Sequence, residues 1–175
     1  MTRDRLTFRF RLSLLILMAG LVVSGLTALP LRWEANVLAG MLGIESGVDY
    51  QTLSGLDRWI AYVRQGLDDS YGAYPFLAYG TDWLAFAHLV IAVFFIGPLM
   101  RPTAHDWILV SGLIACALVI PLALICGAIR GIPVYWRLID CSFGLFGAIP
   151  LAYCLVLSRE LKACEREVYA KGSQE

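Results

Sequence analysis

Residues 107–129 read WILVSGLIACALVIPLALICGAI, a run without a single charged side chain. An α-helix rises 1.5 Å per residue, so roughly 20 apolar residues cross the ~30 Å of hydrocarbon in a bilayer. This run is long enough. Three more stretches share its character: residues 12–31 (LSLLILMAGLVVSGLTALPL), residues 83–100 (WLAFAHLVIAVFFIGPLM, containing His88) and residues 138–157 (LIDCSFGLFGAIPLAYCLVL, containing Asp140). Lipid offers no water to unpaired backbone groups, so such runs are predicted to be helices and the chain an all-α, four-helix transmembrane bundle.

Composition agrees. Of 175 residues, 59% are hydrophobic and 16% charged, with a mean hydropathy of +0.69, against roughly half and a quarter in soluble domains. Fourteen Lys and Arg balance fourteen Asp and Glu. No global basic field exists to attract nucleic acid, and that class is set aside. The expected organisation is one integral membrane domain over residues 1–175, with a loop at 32–82 and a tail at 158–175.

Orientation follows from the basic residues. Arg3, Arg5, Arg9, Arg11, Arg101, Arg159, Lys162, Arg166 and Lys171 fall on one side of the four spans, and Arg32, Arg58, Arg64, Arg130 and Arg137 on the other. The positive-inside rule then predicts cytoplasmic N- and C-termini and a periplasmic loop 32–82. Trp33, Trp83, Trp107 and Trp136 stand at span ends, where amphipathic rings favour the interface. An Arg-rich start before an apolar run also describes a secretory signal, with Val23-Ser24-Gly25 as a small-residue site. The run of about 20 residues exceeds the 7–15 of a signal core, which favours a retained first span.

Within the loop, Leu53, Leu56, Ile60, Val63 and Leu67 recur at helical spacing while Asp57, Arg58, Arg64, Gln65 and Asp68 take the other side. Val37, Leu38, Met41 and Leu42 predict a shorter helix just after the first span. One or two amphipathic helices are therefore expected to cap the periplasmic side, packed on the bundle, lying on the membrane surface or presenting residues 53–67 to a protein partner. His105 and Asp106 are expected as a solvated loop histidine and a first-turn carboxylate, and residues 158–175 as a solvated, fraying helix extension. Small residues four apart (Gly20, Ser24 and Ala28; Ser111 and Ala115; Gly144 and Ala148) mark candidate helix seams, and Pro121 and Pro150 are expected to kink their spans.

Asp82, His88, Arg130, Arg137 and Asp140 all map to the outer ends of spans two to four. Ionisable groups at such depth ask for a partner or a purpose. Arg137 and Asp140 share a helical face and can pair, whereas His88 points about 120° away from Asp82 around their helix. Two readings stay open. In one, the two Asp neutralise the two Arg in a structural network. In the other, the five form an outer-leaflet site for an anionic lipid or a quinone, the Arg residues donating and His88 or Asp140 handling a proton.

Other chemistry lacks its apparatus. His88 and His105 lie roughly 20–25 Å apart along a helical rise, too far to clamp one haem. The five cysteines (Cys116, Cys126, Cys141, Cys154, Cys164) include no CxxC, although Cys126 and Cys141 approach the same end and could bridge. HExxH, P-loop and Gly-x-Ser-x-Gly motifs are missing, as are internal repeats. No catalytic residue, metal site or cofactor is assigned, and whether the chain is an enzyme stays open.

Residues 76–98 (FLAYGTDWLAFAHLVIAVFFIGP) and 129–151 (IRGIPVYWRLIDCSFGLFGAIPL), with the Ala28-Leu29-Pro30 ending of the first span, resemble a group of small bacterial four-helix inner-membrane proteins without an assigned activity. The resemblance implies a bacterial inner-membrane setting and brings no site residue with it. The expected function is a non-catalytic accessory, assembly or scaffold protein with a periplasmic interaction surface; the alternative is the lipid- or quinone-binding site above.

Overall fold

The structure, a computed structural model, describes residues 2–172, and of residues 171 and 172 only the backbone. Among the described residues it is all-helical, without strands. Seven α-helices follow in order: α1 (Arg3–Ala28), α2 (Leu31–Met41), α3 (Gly55–Ala73), α4 (Ala78–Phe94), α5 (Ile96–Met100), α6 (Asp106–Ile129) and α7 (Val134–Gly172). Four helical stretches are long and apolar enough to cross a membrane: Arg3–Ala28, Pro75–Met100, Asp106–Ile129 and Val134–Ala170. Much of their apolar surface faces outward, as at Ile129 (76% exposed) and Phe146 (67%). A soluble monomer rarely leaves so much uncovered, and four such helices are compatible with a membrane protein.

The chain forms two compact units, one made of residues up to Gly20 with those from Ile91 onward, the other Leu21–Val90. The first is organised by an α6–α7 hairpin. Asp106 meets Ser158, the Gly112 position abuts Leu151, the Gly144 position abuts Cys116, Cys141 reaches Ile120, and Arg137 reaches Leu124. These pairs run in opposite order along the two helices, which are therefore antiparallel. The turn between them is a Schellman cap: Ile132 N donates to Gly127 O and Gly131 N to Ala128 O, with Gly131 at φ 70°. A side chain would strain there, and Pro133 stops the helix from resuming earlier.

The start of α1 runs antiparallel to α7 in the same unit. Arg3 pairs with Glu165, Cys154 Sγ points at Phe10 O, and Ser13 Oγ donates to Pro150 O. Leu6, Phe10 and Leu14 form a fully buried stripe on α1, and Leu151, Cys154, Leu157, Ser158 and Leu161 form one on α7. The tail expected to be solvated is helical and is buried at Ser158 and Leu161, while residues 162–170 are mostly exposed and residues 173–175 lie outside the described residues. At 39 residues, α7 is ~58 Å long, about twice the hydrocarbon thickness. Its charged extension is held by apolar burial that continues to Leu161.

In the second unit, α2 and α3 pack together. The α2 end repeats the Schellman geometry, with Ile44 N donating to Ala39 O and Gly43 N to Gly40 O, and Ala39 and Ile44 both buried. On α3, Ile60, Ala61 and Arg64 form the buried face. Burial of Arg64 overturns its expected place on the polar side. Near the end of α1, Gly25 takes the close approach: a Cβ there would lie 2.9 Å from Ala85 O and 3.0 Å from His88 Cβ. Gly20, the first of the expected small-residue row, has nothing within 4 Å.

The second expected span is interrupted. Pro98 has no N–H to donate to Phe94 O, and the helix breaks at Phe95, whose own N donates three residues back to Ala92 O. By contrast, α6 and α7 continue as helices through Pro121 and Pro150.

Candidate functional site

The five ionisable residues expected at one depth divide between the units, Asp82 and His88 in Leu21–Val90 and Arg130, Arg137 and Asp140 in the other.

Arg130 is the C-cap of α6 and is exposed. Seven residues on, Arg137 lays its stem across α6 where Gly127 leaves room: a Cβ at Gly127 would lie 2.5 Å from Arg137 Cδ and 2.6 Å from Cγ. Its Nη1 donates to Leu124 O at 3.3 Å, while Nε is buried with no hydrogen-bond partner. Arg137 and Asp140 do not pair. Among the described residues the ion pairs are Arg3–Glu165, Arg32–Asp68 and Lys162–Asp106, and none includes Arg137 or Asp140. The reason is geometric. Arg137 turns back toward the preceding helix, where Gly127 accepts its stem, and leaves the half-buried Asp140 carboxylate on its own.

In the other unit, His88 is half-buried and its Nδ1 lies 2.8 Å from Leu84 O, one turn earlier. A carbonyl only accepts, so Nδ1 carries the proton. With its Cβ against Gly25, the ring is fixed by its own helix and by α1. Asp82 is exposed and lines a shallow groove of about 250 Å³ with Tyr79, Trp83 and Phe86. Trp83 stacks edge-to-face with both neighbours, ring centroids 5.8 Å apart in each pair.

Two polar constellations went unread in the sequence. Both oxygens of Asp106 are engaged, Oδ1 accepting from the buried Ser158 hydroxyl at 2.6 Å and Oδ2 from Lys162 Nζ at 2.5 Å. Asp106 is in the first turn of α6, as expected, and its carboxylate is in addition held by two side chains of α7. The readable signal was Ser158 and Lys162 one turn apart on α7, at the depth where α6 begins. The second is Arg64, 8% exposed, whose Nη1 and Nη2 donate to Ile44 O at 3.2 Å and Glu45 O at 2.7 Å. Its signal was a position four after Ile60, on the apolar face rather than opposite it. Arg32 also pairs with Asp68, tying α2 to α3 a second time.

The five cysteines are free thiols, Cys126 and Cys141 included. Among the described residues no three of His, Cys, Asp or Glu gather in a way that could hold a metal ion. Comparison of the chain with protein-family models, with curated proteins and with solved structures finds no match.

Proposed function

We propose that the chain is a multi-pass protein of the bacterial inner membrane, with cytoplasmic termini and α2–α3 on the periplasmic side, acting as a non-catalytic accessory or assembly protein. The observation that carries this reading is the construction of α2–α3. Buried Arg64 fastens the intervening loop, Arg32–Asp68 ties the two helices, and Trp33 (65% exposed), Met41 (80%) and Tyr62 (50%) remain uncovered. A firm element with exposed aromatic and apolar side chains suits docking better than a solvated linker does. The partner is a membrane or periplasmic protein that meets the exposed side of residues 53–67, Leu56 and Tyr62 above all. Photo-crosslinkers in place of Tyr62 and of Met41 in living cells are expected to yield a discrete protein adduct. Adducts with lipid alone, or labelling of position 46 only from the cytosol, would overturn the proposal.

A second reading is favoured by one specific observation, the unpartnered Arg137 Nε and unpaired Asp140 at the α6–α7 turn. Arg137 spends only Nη1 on Leu124 O, and a guanidinium with spare donors suits an anionic lipid headgroup or a quinone carbonyl. Native mass spectrometry of gently extracted protein is expected to reveal that molecule, and Arg130→Ala or Arg137→Met to remove it. Unchanged retention in both variants would refute it.

A further inference from the structure

Tyr79, Asp82, Trp83 and Phe86 stand at i, i+3, i+4 and i+7 of α4, on one face of the helix. Tyr79 (61% exposed), Trp83 (56%) and Phe86 (55%) are all turned outward. Three outward aromatic rings would by themselves be an interfacial belt. The carboxylate among them is not explained that way. Asp82 opens no helix end, since α4 begins at Ala78, and it makes no hydrogen bond or ion pair within its unit. It sits instead in the wall of the groove that the three rings form. At about 250 Å³ the groove is smaller than the ~300–1,000 Å³ of whole small-molecule sites. It has room for a headgroup with the rest of the molecule lying outside.

A carboxylate beside aromatic faces is the complement of an alkylammonium group, which gains a charge-assisted hydrogen bond from the one and cation–π attraction from the others. We infer that this groove holds the ammonium headgroup of a phosphatidylethanolamine-type lipid. The lipid source, rather than a free amine, follows from position. Trp83 starts the apolar run 83–100, so Asp82 stands where headgroups meet hydrocarbon if α4 crosses the membrane. The inference rests on the proposed membrane setting. It is independent of Arg130 and Arg137, whose positive charge selects the opposite kind of ligand.

The test uses the full-length protein, extracted in mild detergent and offered phosphatidylethanolamine and phosphatidylglycerol of identical chains in equal amounts. Native mass spectrometry is expected to show the ethanolamine lipid retained over the glycerol lipid on the order of fivefold, from one exposed charge pair and one exposed cation–π contact. Asp82→Asn removes the preference and Asp82→Glu keeps it. Trp83→Leu lowers it by roughly twofold or more. Both positions are exposed, so the fold should persist in all three variants, which a circular dichroism spectrum checks. Equal retention of both lipids, or an undiminished preference in Asp82→Asn, overturns the site. Displacement by millimolar free phosphoethanolamine overturns the lipid source. Release of the chain from membranes by alkaline wash without detergent overturns the membrane reading itself, a result separate from a detergent-requiring protein with no headgroup preference.

Discussion

Replacing Arg64 with Met should loosen the turn after α2 while leaving the α6–α7 hairpin intact. Methionine keeps most of the apolar stem and removes the guanidinium, so the two bonds to Ile44 O and Glu45 O are lost without a large cavity. Hydrogen bonds from a charged donor contribute roughly 1.5–3 kcal/mol each. The 2.7 Å bond to Glu45 O merits that range, whereas the 3.2 Å bond to Ile44 O is longer and weaker. Glu45 is exposed, so water can replace its lost donor, while the carbonyl of buried Ile44 has less recourse. A local loss of about 2–3 kcal/mol follows, which raises amide exchange through local opening by roughly 30- to 150-fold. Hydrogen–deuterium exchange in detergent, read over residues 42–54, measures it, with α6 and α7 as the internal reference. Arg64→Lys should recover only part of the protection, because one ammonium cannot serve two carbonyls in the same planar geometry. Wild-type protection of 42–54 in Arg64→Met would refute the view that this side chain holds the turn.

Two more substitutions follow from close approaches. At Gly144 a Cβ would lie 2.5 Å from the backbone carbonyl of Cys116, which cannot rotate away. Gly144→Ala should cost about 1–3 kcal/mol by thermal unfolding in detergent, whereas Gly20→Ala, with nothing within 4 Å, should be neutral or stabilising by up to ~1 kcal/mol. Between Asp106 and Lys162, a double-mutant cycle of Asp106→Asn and Lys162→Gln should give a coupling of about 1 kcal/mol, since both side chains are about one-third exposed. The cycle of Arg3→Gln and Glu165→Gln, on side chains 66% and 40% exposed, should give less than about 0.5 kcal/mol.

The four apolar helices were legible because length and hydropathy act over some twenty residues at once and tolerate local error. Helices α2 and α3 were legible from the 3.6-residue spacing of their apolar positions. What escaped was decided by single close contacts. Arg64 was placed by its charge on the solvent side, yet its stem and two backbone acceptors make burial favourable. The seam at Gly25 rather than Gly20 depends on where Ala85 and His88 approach, and periodicity cannot distinguish neighbouring steps of one helix. The expected Arg137–Asp140 pair rested on correct spacing. Spacing permits a contact, but Gly127 on the facing helix offered Arg137 a better-packed path.

The two ends of the α6–α7 hairpin are treated differently, and the difference can be measured. At one end, Asp106 has both oxygens bonded. At the other, Arg137 keeps one 3.3 Å bond and a buried Nε with no partner, and Asp140 makes no ion pair. An unsatisfied buried polar group costs about 1–3 kcal/mol, so a residue kept only for packing would be better as methionine. In delipidated protein, Arg137→Met should therefore leave the unfolding midpoint unchanged or raise it, because the thioether fills the same path past Gly127 without the orphan N–H. Adding back an anionic lipid should raise the midpoint of wild type and not of the variant, since binding to the folded state alone stabilises it by mass action. If Arg137 instead anchors a buried ion pair, Arg137→Met loses about 3–5 kcal/mol in the delipidated state already. That loss would assign the α6–α7 turn to structure and leave the α2–α3 element and the Asp82 groove as the places where this protein meets other molecules.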